Sequence, residues 1–357
     1  MGVKPARLLC LLFGYNERIA SINRHRLMNW NDLLQQASPD TQAAEANCAL
    51  APVASAGLIR VQGEDARTFL QGQLTNDINE VSEEQAQLSA WCTPKGRMLA
   101  LFLVFQRGDD LYLQLPQERL DAVLKRLRMF VLRTRVTLED TSDALAIAGV
   151  WGDCLGSQLE TLPEEDFGVA NLNGLTLIRF PGASPRVQII GEPEALAGFW
   201  QPLADRGTLA HEQSWTLHNI RAGLPTVVDA TAEAFIPQML NLDVLGGISF
   251  TKGCYTGQEV VARMKYLGQL KRRMYLARAA ADTPLSPGDS LWSPHSQSAQ
   301  GAGRIVLAAK TEDGGQEALV VAEISAAKKG GMRLTDENGP EVVLSPPPYE
   351  VPELQEG

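Results

Sequence analysis

Apolar positions along this chain fall into short runs, and their spacing switches between strand-like and helical periods. Leu58-Ile59-Arg60-Val61 reads as a strand that Gly63 ends. Glu64-Asp65-Ala66-Arg67 then puts acids in the first turn of a helix, and Phe69, Leu70 and Leu74 form its apolar stripe. Between Leu88 and Gln106 two strand-like runs meet at Thr93-Pro94-Lys95-Gly96. Asp109-Asp110 turns the chain into a further strand, Leu111–Leu115. Glu118 to Phe130 has the helical period, and Val136–Leu138 and Ala144–Val150 return to strand. Helices are expected again near Glu192–Asp205 and Glu212–Ala222. Ile248-Ser249-Phe250 is strand-like between Gly247 and Gly253, and Gln258-Glu259 opens a last apolar stretch, Val260-Val261-Ala262, that suits a helix.

From about Gln269 the texture changes. Arg273–Arg278, Ser290–Trp292, Gly303–Ala308, Ala318–Ile324, Met332–Leu334 and Val342–Leu344 are short apolar runs separated by Gly and Pro, the pattern of a small antiparallel β-barrel. Strands and helices mix without strict alternation, so the fold class is α+β. Residues 38–56, rich in Ala, Ser, Pro and Thr, read as a linker. The expected parts are an N-terminal extension over 1–37, poorly ordered up to 27, two α+β parts over 38–150 and 151–268, the barrel over 269–348 and a tail over 349–357. Met28 is a candidate true start.

At 357 residues and 45% hydrophobic, the chain is long enough for two or three domains. A net charge of −10 argues against a general polyanion binder, so RNA contact needs a local basic patch. Two clusters qualify: Lys252, Arg263, Lys265, Lys271, Arg272, Arg273 and Arg278, and Lys125, Arg126, Arg128, Arg133 and Arg135. Either is an ordinary solvated face or the seat of an anionic partner. The five cysteines include no C-x-x-C pair, which disfavours a disulfide scaffold or structural zinc and fits a reducing cytoplasm. No metal ligand set is expected. No apolar run is long enough to cross a membrane.

The segment Lys252-Gly253-Cys254-Tyr255-Thr256-Gly257-Gln258-Glu259 concentrates chemistry. Two glycines flank a cysteine just before an expected helix, where the dipole and Lys252 would favour a thiolate. The alternative is a small buried hydrophobe in a tight turn. His211, His218 and His295 cannot be placed beside Cys254 from sequence, so a nucleophile with a histidine base is disfavoured. One cysteine cannot hold an iron–sulfur cluster alone.

Phe250–Glu259 resembles the K-G-C-[YF]-x-G-Q-E motif of the YgfZ family. Further blocks resemble that family in order: Gly63–Asp77, Pro94-Lys95-Gly96-Arg97, Asn219–Pro225 and Ile236-Pro237-Gln238. The likeness covers roughly residues 50–348. It implies a three-domain ring like that of the glycine-cleavage aminomethyltransferase (T-protein), with tetrahydrofolate or a derivative in a central channel. It also implies a role in maintaining iron–sulfur enzymes, notably those that methylthiolate tRNA, with weak tRNA contact possible. The alternative is a true one-carbon transferase, but no equivalent of the T-protein's catalytic aspartate is identified. Cys254, as a redox or ligand thiol, and Lys252 are the expected reactive pair. Trp215, Arg221, Gln238, Tyr255, Gln258 and Glu259 are expected to face the folate, with Gly253 and Gly257 as motif glycines. Two departures stand out. Ala56 occupies a position where some members carry Trp, and Arg221 stands where the T-protein has a pterin-pairing Glu, so that it would grip a carboxylate instead.

Overall fold

The structure is a computed structural model. It describes residues 29–37, 43–158, 162–266, 268–280, 282–299 and 301–352. The expected disordered stretch up to residue 27 and the candidate start at Met28 lie outside the described residues.

Trp30–Gln36 forms α1, started by a capping box between Asn29 and Asp32. Then come β1 (Cys48–Pro52), β2 (Ala56–Gln62), α2 (Ala66–Gln71), β3 (Gln87–Cys92), β4 (Met98–Arg107), β5 (Asp110–Pro116), α3 (Gln117–Arg128) and β6 (Thr137–Asp140). They are followed by β7 (Ala146–Gly152), α4 (Cys154–Gln158), β8 (Val169–Leu172), β9 (Leu175–Arg179), β10 (Arg186–Gly191), α5 (Pro193–Trp200), β11 (Thr208–Leu209), α6 (Glu212–Arg221) and α7 (Gln258–Tyr266). The last part holds β12 (Arg272–Ala279), β13 (Ser290–Trp292), β14 (Gly303–Lys310), β15 (Gln316–Glu323), α8 (Ile324–Lys329), β16 (Arg333–Leu334) and β17 (Val342–Ser345).

These strands make three sheets, ordered β11-β1-β7-β10-β9-β8, β3-β4-β5-β2-β6 and β16-β13-β14-β15-β12-β17. The third is antiparallel and curls: the bridge Arg333–Glu341 brings its two ends together. All six strands expected there from the Gly- and Pro-punctuated runs are present.

Period-two alternation explains how the sheets stack. In β4, Leu101, Leu103 and Phe105 point into one core, while Phe102 and Val104 point into another. The second core is covered by α3, whose Leu120, Val123, Leu124 and Leu127 recur at helical spacing and are all buried. The first core is shared. It joins Leu88, Leu101 and Leu103 of the second sheet, Ile147 and Ile190 of the first, Trp215, Leu217 and Ile220 of α6, and Met274, Leu319 and Val321 of the third. One apolar centre thus ties all three sheets together. Truncating a fully buried member such as Leu319 to Ala costs about 2–5 kcal/mol.

Four sequence expectations change. The linker over 38–56 contains β1, a central strand whose partners lie at Ala146–Gly152 and Thr208–Leu209. Its run Cys-Ala-Leu-Ala-Pro is short and its pairing wholly long-range, so no local pattern reveals it. The expected division after residue 150 falls inside β7. Cys48 and Cys154 form a disulfide, 106 residues apart, between β1 and the start of α4; cysteine spacing, which disfavoured a disulfide scaffold, does not show what the β1–β7 pairing brings together. Finally, Ile248–Phe250 is not a strand; its one backbone tie outside the segment is Ser249 N–H to the Thr75 carbonyl, at 3.0 Å. Among the described residues no helix is long and apolar enough to cross a membrane.

Candidate functional site

The Lys252–Glu259 turn is assembled from sequence blocks that lie far apart. Lys252 folds inward, 8% exposed, and its ammonium donates to the carbonyls of Gln71 (2.8 Å), Leu74 (2.7 Å) and Asn76 (2.8 Å). It therefore closes the C-terminal end of α2, where orphan carbonyls attract a cation. Burial draws its pKa down to about 8, against the pull of Asp77. Its three donors are spent on backbone, so Lys252 is not the cation beside a thiolate that its sequence position suggested.

The neighbouring block is equally committed. The Thr75 hydroxyl donates to the Gly247 carbonyl at 2.7 Å, and the Asn76 amide to Gly246 at 2.6 Å. Asp77 caps the next short turn, accepting from Asn79 N–H. On the other side the turn packs glycine against glycine. Gly257 has φ +85°, and a Cβ there would sit 2.4 Å from the Thr93 carbonyl and 3.3 Å from Gly96. A Cβ at Gly96 would strike Val260. Arg97 Nη1 donates to Ala234 at 2.7 Å, and Gln238 Nε2 to Val261 at 2.6 Å, fixing the same turn from below.

Cys254 is exposed on this base. Gly253 beside it is also exposed, and a Cβ there would meet nothing within 4 Å. The chain itself gives no steric reason for a glycine at 253. Tyr255 is 8% exposed with its ring 5.3 Å from the Lys252 ammonium, and burial pushes its phenol well above the ordinary range. Gln258 is half-buried and Glu259 exposed, both in the first turn of α7, where an acid complements the dipole. Gln238 is 3% exposed and holds α7 as described. No histidine hydrogen-bonds to the Cys254 thiol among the described residues: His211 caps α6 and His218 lies in a separate cleft. Nor does any group of three or more His, Cys, Asp or Glu there offer a metal site.

A cavity of about 320 Å³ lies where the inner faces of the three sheets meet. Leu88, Leu101 and Leu103 line one wall, Phe167, Phe180 and Trp215 another, and Leu307 of the third sheet closes it. Gln114 of β5 and Gln188 of β10 form a reciprocal amide pair across it, at 3.0 and 2.6 Å. Each amide keeps one N–H beyond that pair. Glu212, at the start of α6, accepts from Ser55 N–H and its hydroxyl, and desolvation raises its carboxyl pKa despite those bonds. Trp215 lines the cavity but is only 2% exposed. It presses on Gly149, where a Cβ would come within 2.3 Å of the ring. Ala56 also lines this cavity.

Arg221 points the other way. It lines a cleft of about 870 Å³ with Glu45, Trp151, Asp166, His218 and Tyr349. There its Nε and Nη2 grip Glu317 at 2.9 and 3.3 Å and Nη1 pairs with Glu45, which together hold its pKa up against burial. Helix α6 thus separates Trp215 from Arg221, and neither shares a cavity with the Cys254 turn. Gln114, Gln188 and Glu212 were not singled out from the sequence. For the two glutamines a polar residue inside an apolar strand run was the one available sign, and Glu212 looked like an ordinary first-turn acid.

Much of the basic character seen in the sequence is structural. Arg273 makes a bidentate pair with Asp243 at 2.6 and 2.9 Å, Arg272 meets Glu323, Arg278 pairs with Asp313, and Arg128 donates to the Leu138 carbonyl.

The architecture defines an aminomethyltransferase-like fold. Residues 17–179 match the GCVT N-terminal domain family. The glycine cleavage system aminomethyltransferase T of Bartonella henselae superposes with a TM-score of 0.60 over 88% of each chain, at 14% identity, a likeness of fold alone. Within that class the chain belongs to the YgfZ family. It is 32% identical over 319 residues to the tRNA-modifying protein YgfZ of Yersinia pestis (strain Pestoides F), covering 85% of this chain and 96% of the relative. It is 30% identical over 297 residues to that of Pectobacterium carotovorum subsp. carotovorum (strain PC1), covering 82% and 89%.

Proposed function

We propose that this chain is a cytoplasmic, tetrahydrofolate-binding accessory factor that supports iron–sulfur enzymes, including those that modify tRNA by methylthiolation. The observation that carries the folate part is the cavity of about 320 Å³ between the three sheets. A pterin is flat and bears a donor–donor–acceptor edge, so it asks for apolar and aromatic walls with a few fixed polar groups. Leu88, Leu101, Phe167 and Phe180 supply the walls. The Glu212 carboxyl faces paired donors, and the remaining N–H groups of Gln114 and Gln188 face acceptors. Trp215 contributes an edge to the wall, and Arg221, already holding two carboxylates, serves to join α6 to the third sheet.

Cys254 supplies the exposed thiol at which an iron–sulfur partner is met, as a ligand or redox group shared with that partner. Lys252, Gly257, Gln238 and Tyr255 hold it in place. Gln258 and Glu259 start the supporting helix, and Gly253 leaves room for the partner's approach.

Isothermal titration of tetrahydrofolate against wild type, Glu212→Gln and Gln188→Leu tests the folate reading. Loss of one charge-assisted bond weakens binding by about tenfold or more. Absence of heat with wild type, or equal affinity in both variants, overturns it. Restoration of iron–sulfur enzyme activity in a deletion strain by Cys254→Ser would remove the thiol's role. Robust turnover in a glycine-cleavage assay would favour the transferase reading.

A further inference from the structure

Nine buried side-chain polar atoms lack a hydrogen-bond partner among the described residues, and three of them gather in one place. They are Trp151 Nε1, Arg186 Nη2 and His218 Nε2. Arg186 and Trp151 stand directly opposite each other on β10 and β7, so their side chains share a face. The Trp151 and His218 rings are 4.9 Å apart, and the Arg186 charge bears on His218 directly.

Arg186 is the unusual member. It is 1% exposed, and its guanidinium lies over the rings of Phe180 and Trp215, at 5.5 and 4.8 Å. Nε donates to the Pro181 carbonyl and Nη1 to Asn219 Oδ1, both at 2.8 Å. Both acceptors are neutral, and no ion pair of the described residues includes Arg186. Exposed Asp166 acts on it only at a distance, and burial draws its pKa down to about 9. A buried charge without a counter-ion is expensive, and stacking on two rings offsets only part of that.

Its cover is thin. The loop from Pro181 to Pro185 walls the cleft of about 870 Å³ that Trp151 and His218 also line. A Cβ on Gly182 would stand 3.0 Å from Arg186 Nε, so bare glycine backbone is what separates the guanidinium from the cleft there.

We propose that this cleft contains an oxyanion subsite, in which a carboxylate or phosphate oxygen takes Arg186 Nη2 and the Trp151 indole N–H, next to His218. The bound anion supplies the missing counter-charge and satisfies two stranded donors at once. Arg186 does not line the cavity between the three sheets, so the subsite stands independently of folate binding there.

The test uses the full chain, titrated with sodium phosphate, acetate or glutamate against sodium chloride at matched ionic strength, with thermal melting as readout. A specific anion raises Tm saturably by mass action. Response to phosphate alone identifies a free inorganic anion as the ligand; response to the carboxylates identifies an acid group of a larger ligand. Arg186→Met removes the buried charge but strands the Pro181 and Asn219 acceptors, so its anion response is read against its own Tm in sodium chloride, and the saturable rise is abolished. Trp151→Phe keeps the ring and weakens the anion by about tenfold, as loss of one bond to a charge does. No saturable rise with any anion, or the same rise in Arg186→Met as in wild type, overturns the proposal.

Discussion

Lys252→Met separates support from chemistry at the cysteine turn. The substitution keeps most of the stem and removes three bonds from the ammonium to backbone carbonyls. The Leu74 carbonyl is buried and stays unpaired, while those of Gln71 and Asn76 are only partly covered. Stranding them costs about 5 kcal/mol in all. Against this, the pKa drawn down to about 8 by burial means that losing the ammonium relieves a desolvation penalty. Discounted for partial solvent screening, that relief is about 2 kcal/mol. The net loss is therefore about 3 kcal/mol. Urea unfolding of wild type and variant measures it. A second readout tests the geometry: alkylation of Cys254 in a Cys10→Ser background, since Cys92 is buried and Cys48 and Cys154 are bridged. Because Lys252 does not face the thiol, the alkylation rate stays within about threefold under native conditions, well under the tenfold that about 1.4 kcal/mol represents. A variant as stable as wild type, or a thiol slowed by a decade or more, refutes this picture and returns Lys252 to the thiol.

The two motif glycines behave differently. Gly257→Ala forces a side chain into φ +85° and against the Thr93 carbonyl, and should cost roughly 1–3 kcal/mol by urea denaturation. Gly253→Ala meets nothing and should change stability by less than about 0.5 kcal/mol, so any loss of iron–sulfur enzyme support in that variant reports a partner's approach. His218 sets an acid limit. Burial first, then the charges of Arg186 and Arg221, depress its pKa from 6.5 to about 4, against Glu45 and the Ala44 backbone. Between those values the unfolded chain binds a proton that the folded chain refuses, so stability falls as pH drops from 6.5 towards 4, by up to about 3 kcal/mol. His218→Gln should flatten that part of the curve, and an unchanged slope would count against it. Arg273→Met removes a buried guanidinium and leaves half-buried Asp243 without its bidentate partner, and should cost about 2–4 kcal/mol, visible in thermal melts.

Local pattern and long-range placement contributed unequally to what could be read from the sequence. Helix α3 was legible because Leu120, Val123, Leu124 and Leu127 repeat at helical spacing over a full twelve residues. The strands of the third sheet were legible because Gly and Pro punctuate them. β1 was not, since its pairing joins residues that only the fold brings together. The disulfide was hidden for the same reason. At the candidate site, the motif blocks were visible but their meaning was not. Lys252, two residues from Cys254 in sequence, suggested a cation for a thiolate, yet its ammonium is buried on the carbonyls of Gln71, Leu74 and Asn76 while the thiol is exposed. The amide pair Gln114–Gln188 and the unpaired Arg186 left almost no trace, because a polar residue inside a strand looks the same whether it faces water or a cavity.

A run holding Lys, Cys, two Gly, Gln and Glu invites reading every member as chemical, and the contacts divide them instead. Lys252 closes α2, Gly257 lets two turns touch, and Gln238 and Arg97 hold the segment beneath. The donors of Lys252, Gln238 and Arg97 that do this are spent within the chain. What remains unspent is the exposed pair Gly253-Cys254. The stretch that leads there also lines the cavity between the three sheets at Leu224, Pro225, Thr226 and Val228. It then passes Asn241, whose amide donates to the Met274 carbonyl at 3.0 Å, before meeting Thr75 and Asn76. Few of its residues are in helix and none in strand, so side-chain bonds rather than a hydrogen-bonded ladder set its position. A change at the cavity end would act on the thiol through those side-chain bonds together with the backbone bonds at Glu233, Phe235 and Ser249 and the buried Leu240, Leu242 and Ile248. Asn241→Leu, which cuts one of them midway, should loosen the Cys254 turn while leaving tetrahydrofolate affinity within about threefold, well short of the tenfold per 1.4 kcal/mol expected of a residue that touches the ligand. Hydrogen exchange across residues 244–257 reads the first effect and titration the second; equal protection in variant and wild type would show that the turn stands on the α2 contacts alone.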